Sequence, residues 1–95
     1  MRELVLSSIF ARRYKKLVGK HSEIQTKIRD VLALLREDPF IPALETHKLK
    51  GKYEGNYACT VAYDLRIIFE FEDKVPPEEA AIVLLNIGTH DEVYL

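Results

Sequence analysis

The side chains best suited to chemistry fall into three groups in the second half of the chain. His47 is followed by Lys48, Lys50 and Lys52. Asp64 and Arg66 flank Leu65. His90 is followed by Asp91, Glu92 and Tyr94. Histidine is the side chain whose ordinary pKa lets it give or take a proton near neutrality. A positioned acid or base contributes about 10²–10⁴ in rate. Arginine presents a planar fork that matches carboxylate or phosphate oxygens. Together these types permit proton transfer beside an anion. Each also has an ordinary structural reading. A loop histidine is more often a surface residue, Asp64 is first a turn former, Arg66 can pair with Glu70, and Tyr94 can pin the C-terminus to the core. Arg66 stands out because it interrupts an apolar strand beside Ile67 and Ile68.

Other chemistries lack support. There is no Gly-rich phosphate loop ahead of a helix, no H-E-x-x-H and no G-x-S-x-G. Cys59 is the only cysteine, so neither an intrachain disulfide nor a multi-cysteine zinc site can form. A metal site built from His47, Asp64 and His90 has no ligand spacing to fix it. No metal and no small-molecule cofactor are therefore expected.

The elements that must position these groups come from a chain of 95 residues, enough for a single domain over residues 1–95. At 47% hydrophobic and 31% charged, it has the composition of an ordinary globular protein. No run approaches a membrane span, and the start, Met-Arg-Glu-Leu-Val-Leu, turns polar too soon for a signal peptide. A cytoplasmic location is expected, in keeping with the single cysteine. The net charge of −1 hides an asymmetry. Residues 1–52 carry 12 Lys/Arg against 6 Asp/Glu, whereas residues 53–95 carry 2 against 9. A basic half can attract polyanions or simply be a solvated helix face. With so little net charge, any nucleic-acid contact should be local.

Arg2–Leu6 reads as a first strand, and Ser7 or Ser8 can cap the helix after it. Phe10, Tyr14, Leu17 and Val18 form one face of that helix, with Gly19 as its stop. Ser22 and Gln25 have capping-box spacing at the start of a second helix. Its apolar stripe is Ile24, Ile28, Val31, Leu32 and Leu35, and Asp38-Pro39 ends it. Phe40–Glu45 is a loop, and His47–Tyr57 reads as a loop or irregular hairpin. Three strands follow: one alternating through Tyr57–Tyr63, one over Arg66–Glu72 after a turn at Asp64-Leu65, and an apolar one over Ala80–Ile87. Asp73–Glu79 connects the last two. Gly88–Leu95 is a mostly polar tail. The expected fold is α+β, with two helices on one face of a mostly antiparallel four-stranded sheet. In such a meander, the Asp64 turn and the chain leaving the last strand can share one edge.

Three segments carry a family resemblance: His47-Lys-Leu-Lys-Gly51, Val61-Ala-Tyr-Asp-Leu-Arg-Ile-Ile-Phe69 and Leu85-Asn-Ile-Gly-Thr-His-Asp-Glu-Val-Tyr94. In this order they resemble the RelE/ParE superfamily of toxins from type II toxin–antitoxin systems, closest to the YafQ-like and RelE/StbE-like branch. The resemblance covers nearly the whole chain. It implies an mRNA endonuclease that works on the ribosome and is silenced by a cognate antitoxin. It implies an active site at His47, Asp64, His90 and Tyr94, with Arg66 and the loop lysines Lys48, Lys50 and Lys52 matching the arginine and lysines of RelE-like toxins. One departure is Thr60, which stands where YafQ-like toxins carry a further active-site histidine. Threonine cannot act as an acid or base near pH 7.

On that resemblance the reaction needs no metal, because RNA supplies its own nucleophile, the 2′-hydroxyl. His47 and His90 would transfer the protons, with His90 as the acid. Asp64 would orient a histidine, Arg66 would clamp the phosphate, and Tyr94 would stack on a base or donate its hydroxyl. The lysines would hold the flanking backbone. A partly disordered antitoxin that folds on binding would lie across the helices or the sheet and block the His90 edge. Two alternatives share the fold: a gyrase-binding ParE-type inhibitor, which has no need of His47 and His90, and an inactive relic that only binds antitoxin.

Overall fold

The fold is described from a computed structural model, over residues 2–72 and 80–94. The chain order is β1 (Leu4–Leu6), α1 (Ser8–Lys20), α2 (Ile24–Glu37), β2 (His47–Lys48), β3 (Tyr57–Ala62), β4 (Leu65–Phe71), β5 (Ile82–Thr89) and α3 (His90–Tyr94). Single turns of 3-10 helix at Pro42–Leu44 and Gly51–Tyr53 punctuate the middle of the chain. The strands make one five-stranded sheet in the order β1-β5-β4-β3-β2. β1 runs parallel to β5, and every other pair is antiparallel.

The α+β class is as expected, but the four-stranded count is not. His47 and Lys48 pair with Ala58 and Tyr57 and add a fifth strand. Two residues are too short to show a period, so the pairing left no mark on the sequence. β1 and β5 can be parallel because α1, α2 and then β2, β3 and β4 come between them in the chain, a connection long enough for the crossover that a parallel pair requires.

Ser7 caps α1. Its Oγ accepts the Phe10 N–H at 3.1 Å and donates to the Leu85 carbonyl at 3.1 Å, so the cap also ties the helix to β5. Gly19 does not stop the helix, which continues to Lys20 and is closed by the His21 N–H on the Leu17 carbonyl. The capping box expected at Ser22 does not form. Glu23 precedes α2 in a helical conformation (φ −65°, ψ −22°) without a side-chain bond, and the Gln25 N–H reaches the Ser22 carbonyl at 3.2 Å. A side-chain cap needs an extended residue ahead of the helix. Asp38, extended ahead of Pro39, ends α2 as expected.

The sheet is covered on both faces. Phe10 of α1 and Ile28, Val31 and Leu35 of α2 bury against Ile67, Phe69, Ile82, Leu84 and Ile87 to form the main core. Strand side chains alternate between faces, so Ile68 points the other way. There it meets Ala58 and Val93, with Leu49, Leu85 and Tyr94 packed around them. The stretch expected as a mostly polar tail instead extends β5 to Thr89 and then forms α3, which covers the second face. A bulge lets β5 serve both cores. Ile68 pairs with Asn86 but Phe69 with Leu84, so Leu85 is the extra residue. The Asn86 Oδ1 accepts the Ile87 N–H at 2.9 Å beside it. The expected connection Asp73–Glu79 lies outside the described residues, as does Leu95.

Candidate active site

Arg66 pairs with Thr60 of β3 on one side and Gly88 of β5 on the other. Alternation places Arg66 on the same face as Ile68, the face that α3 covers. β5 ends at Thr89, and the next residue, His90, begins α3. A reciprocal pair of hydrogen bonds fixes this turn. The Glu92 Oε1 accepts the Thr89 N–H at 2.8 Å, and the Thr89 Oγ1 accepts the Glu92 N–H at 3.3 Å. This is a capping box, Thr89-x-x-Glu92. The Thr89 N–H holds the Glu92 carboxyl below the usual glutamate range; burial opposes it, and the Thr89 hydroxyl and the charges of Arg13 and Lys16 assist. Gly88 lets α3 fold back closely, since a Cβ there would lie 3.0 Å from both Cβ and Oε1 of Glu92. Asp64, in the β3–β4 turn, places Oδ1 3.5 Å from the His90 backbone nitrogen.

His47, Leu49, Arg66, His90 and Tyr94 line one open concavity of about 350 Å³. Residues separated by more than forty positions therefore share a surface. His47 is exposed, and its Nδ1 sits 3.1 Å from the Glu45 carbonyl. A carbonyl only accepts, so Nδ1 carries the hydrogen and the lone pair of the neutral ring lies on Nε2. Glu45 is held in the left-handed conformation (φ 52°) beside it. The Arg66 Nη1 donates to the carbonyls of Ala62, Tyr63 and Leu65 at 3.2, 3.4 and 3.3 Å. Those bonds anchor the guanidinium to the β3–β4 turn. Among the described residues the ion pairs are His21–Glu23 and His90–Asp91, so no carboxylate, Glu70 included, pairs with Arg66 there.

His90 and Tyr94, four residues apart on α3, meet with their rings tilted at 58° and centroids 4.6 Å apart. Tyr94 also meets Tyr53 edge to face at 6.0 Å. Burial, partly offset by Arg66 and reinforced by Tyr53 and Cys59, raises the Tyr94 phenol, so its hydroxyl keeps its proton at neutral pH. The exposed Asp91 carboxylate lies 3.6 Å from the His90 Nδ1.

The other sequence candidates lie around this surface. Asp64 does not line the concavity. It meets the backbone of His90, and its flank faces an apolar groove with Leu17, Ile24, Tyr63 and Leu65. Lys48, Lys50 and Lys52 are exposed along β2 and the following turn, and the Lys52 ammonium sits 5.2 Å from the Tyr53 ring centre. Cys59 is buried, and burial pushes its thiol up to about 12 against weaker opposing effects of the Ile67 backbone and Arg66. It is therefore no nucleophile. Among the described residues no group of three or more His, Cys, Asp or Glu side chains is placed to hold a metal ion. No described helix is long and apolar enough to cross a membrane. Sequence reasoning missed Leu49, Tyr53 and the Thr89–Glu92 cap. Only the cap had a readable signal, its Thr-x-x-Glu spacing.

Solved structures repeat this architecture. YafQ from E. coli superposes with a TM-score of 0.79 at 21% identity, over 100% of each chain. A YoeB/ParE toxin from Agrobacterium tumefaciens gives 0.77 at 17% identity, over 93% of this chain and 98% of that one. The E. coli DinJ–YafQ toxin–antitoxin complex gives 0.76 at 22% identity, over 99% and 98%. At these identities the likeness is one of fold. No curated protein sequence matches the chain. The family model described as "Bacterial toxin of type II toxin-antitoxin system, YafQ" matches residues 2–95, and on that match the chain belongs to the YafQ family of toxins.

Proposed function

We propose that this toxin is a metal-independent endoribonuclease that cuts mRNA on the ribosome, using the RNA 2′-hydroxyl as nucleophile. The observation that carries the reading is the meeting of His47, Arg66, His90 and Tyr94 in one concavity.

Each group suits one part of the reaction. With Nδ1–H tied to Glu45, the His47 Nε2 takes the 2′-hydroxyl proton. The 2′-oxygen attacks phosphorus and forms a phosphorane. Arg66, anchored through Nη1, turns its remaining N–H groups to the phosphoryl oxygens. As the bond to the 5′-oxygen breaks, His90 gives that oxygen a proton. The products are a 2′,3′-cyclic phosphate and a 5′-hydroxyl. Tyr94, protonated at neutral pH, stacks on a base or donates its hydroxyl. Lys48, Lys50 and Lys52 hold the flanking backbone. Asp64 serves by holding the first turn of α3 through the His90 N–H.

The partner is an antitoxin that folds on this surface and covers the His90 edge. The toxin–antitoxin complex among the similar folds supports a protein partner of this kind. The site of action is the cytoplasm, where translating mRNA lies.

The test is induced expression of wild type and His90→Ala in growing cells, with growth and mRNA 5′ ends followed together. Growth arrest with new, codon-phased ends that vanish in His90→Ala is expected. Arrest with intact mRNA, unaffected by the substitution, contradicts the proposal and points to a binding poison of the gyrase-inhibitor kind. No arrest points to a relic.

A further inference from the structure

Outside the candidate site, positive charge gathers on one face of α1. Arg13, Lys16 and Lys20 recur at i, i+3 and i+7 and so stand in line. At 1.5 Å per residue the row spans roughly 10 Å. With His21 these cations line a groove of about 420 Å³ whose opposite wall is the end of β5 and the start of α3. The ion pairs found among the described residues involve none of the three fixed cations. Arg13 instead donates to the Glu92 backbone carbonyl at 3.4 Å. Among the described residues, Glu92 is the one acid lining the groove, and its Oε1 is already bonded to the Thr89 N–H. Positive charge remains in excess.

The groove and the concavity lie on two sides of the same turn. Thr89 and Glu92 line the groove, and His90 lines the concavity. We infer that this groove binds the phosphate backbone of single-stranded RNA, immediately beside the phosphate held at the candidate active site. The inference rests on the ribonuclease reading of that site and adds a second, sequence-independent anchor to it.

RNA fits the groove better than a protein segment does. Among the described residues, Leu17 and Ile87 are its only large apolar lining residues, too little for an amphipathic helix to bury. That kind of surface lies in the neighbouring groove around Ile24, Tyr63 and Leu65. The net charge of −1 also leaves little bulk attraction for RNA, so affinity must come from a local row of cations.

The test measures binding of a short 2′-O-methyl RNA, which lacks the nucleophile and stays uncut, by fluorescence anisotropy across a salt series. Single-strand binding weakens with salt in a log–log slope of about 0.7 per neutralised phosphate. The triple variant Arg13→Gln, Lys16→Gln, Lys20→Gln should therefore lower the slope by about two. A control that removes the same charge elsewhere, Lys15→Gln, Lys27→Gln, Arg29→Gln, should keep the wild-type slope. If the first triple variant does not fold, Lys16→Gln with Lys20→Gln should lower the slope by about 1.4. An unchanged slope overturns the inference. So does a triple variant that loses binding to polyglutamate while its RNA slope stays the same, which would make the groove a seat for an acidic protein segment. Cleavage is followed separately on unmodified RNA, so failure of the nuclease and failure of the groove give different results.

Discussion

Thr89 and Glu92 each accept the other's backbone N–H, and this pair sets where α3 leaves the sheet. His90 and Tyr94 ride on that helix, so the cap positions both. Thr89→Ala should cost about 1 kcal/mol of local stability, the usual worth of a capping side chain. Amide hydrogen exchange along α3 should accelerate while that of β4 stays slow. The cap also gives a pH dependence. The Glu92 carboxyl is held below its unfolded range, so the folded form binds protons less readily. Its contribution is complete above the ordinary glutamate range and is lost as pH falls through the lowered folded value. Exchange in α3 should rise in acid, and Glu92→Gln should remove most of that dependence.

Gly88 carries the close approach of α3 to β5. Gly88→Ala puts a methyl group 3.0 Å from the Glu92 Cβ and 3.4 Å from the Val93 Cγ1. Relieving that overlap should cost about 1–3 kcal/mol and displace His90. A shift of about 1 Å at a reacting group can cost on the order of 10²-fold in rate. The expected result is a folded protein, checked by thermal melting, whose RNA cleavage falls far more than its stability. Full activity in a folded Gly88→Ala would show that α3 placement does not matter.

The Arg66 guanidinium is tied to the turn through Nη1, and the fork needs both its planarity and its remaining donors to meet a phosphoryl group. Arg66→Lys keeps the charge but cannot do both. Cleavage should drop by about 10²–10³, close to the loss in Arg66→Ala. Stability should change by about 1 kcal/mol, the net worth of a typical hydrogen bond, since the Nη1 contacts at 3.2–3.4 Å are long and only partly buried. Wild-type cleavage in Arg66→Lys would reduce Arg66 to a structural role.

How much of this was legible in the sequence depended on the length of each signal. The apolar stripes of α1 and α2 repeat over several turns, so both helices could be read directly. β4 declared itself through Ile67, Phe69 and Phe71, and Arg66 was visible as a charge set against Ile67 and Ile68. β2 was not legible, because a two-residue strand is defined only by its partners Ala58 and Tyr57. The bulge at Leu85 was hidden inside a continuous apolar run, where either face looks alike. α3 was missed for a different reason. Its Thr89-x-x-Glu92 signal was present, but the helix is a single turn following a strand, and its polar residues suggested a tail. Of the candidate residues, Asp64 is the one whose surroundings differ most from expectation, since it meets the backbone of His90 where contact with an imidazole ring was expected.

Thr60 stands directly across β3–β4 from Arg66, on the same face. A histidine placed here would face the Arg66 clamp of the proposed site and add a proton-transfer group beside it. Thr60→His is expected to raise cleavage at neutral pH by at least about tenfold, short of the 10²–10⁴ of an ideally placed group. Cleavage rate followed against pH should gain a new dependence in the histidine range. A rate and profile identical to wild type would show that the present groups complete the site.

The end chemistry of the cut RNA tests the central claim most directly. Purified protein, translating ribosomes and a defined mRNA would be combined, and both new ends identified by enzymatic labelling and mass spectrometry. Attack by the 2′-hydroxyl predicts a 2′,3′-cyclic phosphate upstream and a 5′-hydroxyl downstream, with both products lost in His90→Gln. A 3′-hydroxyl with a 5′-phosphate, or cleavage that persists in His90→Gln, would contradict the account.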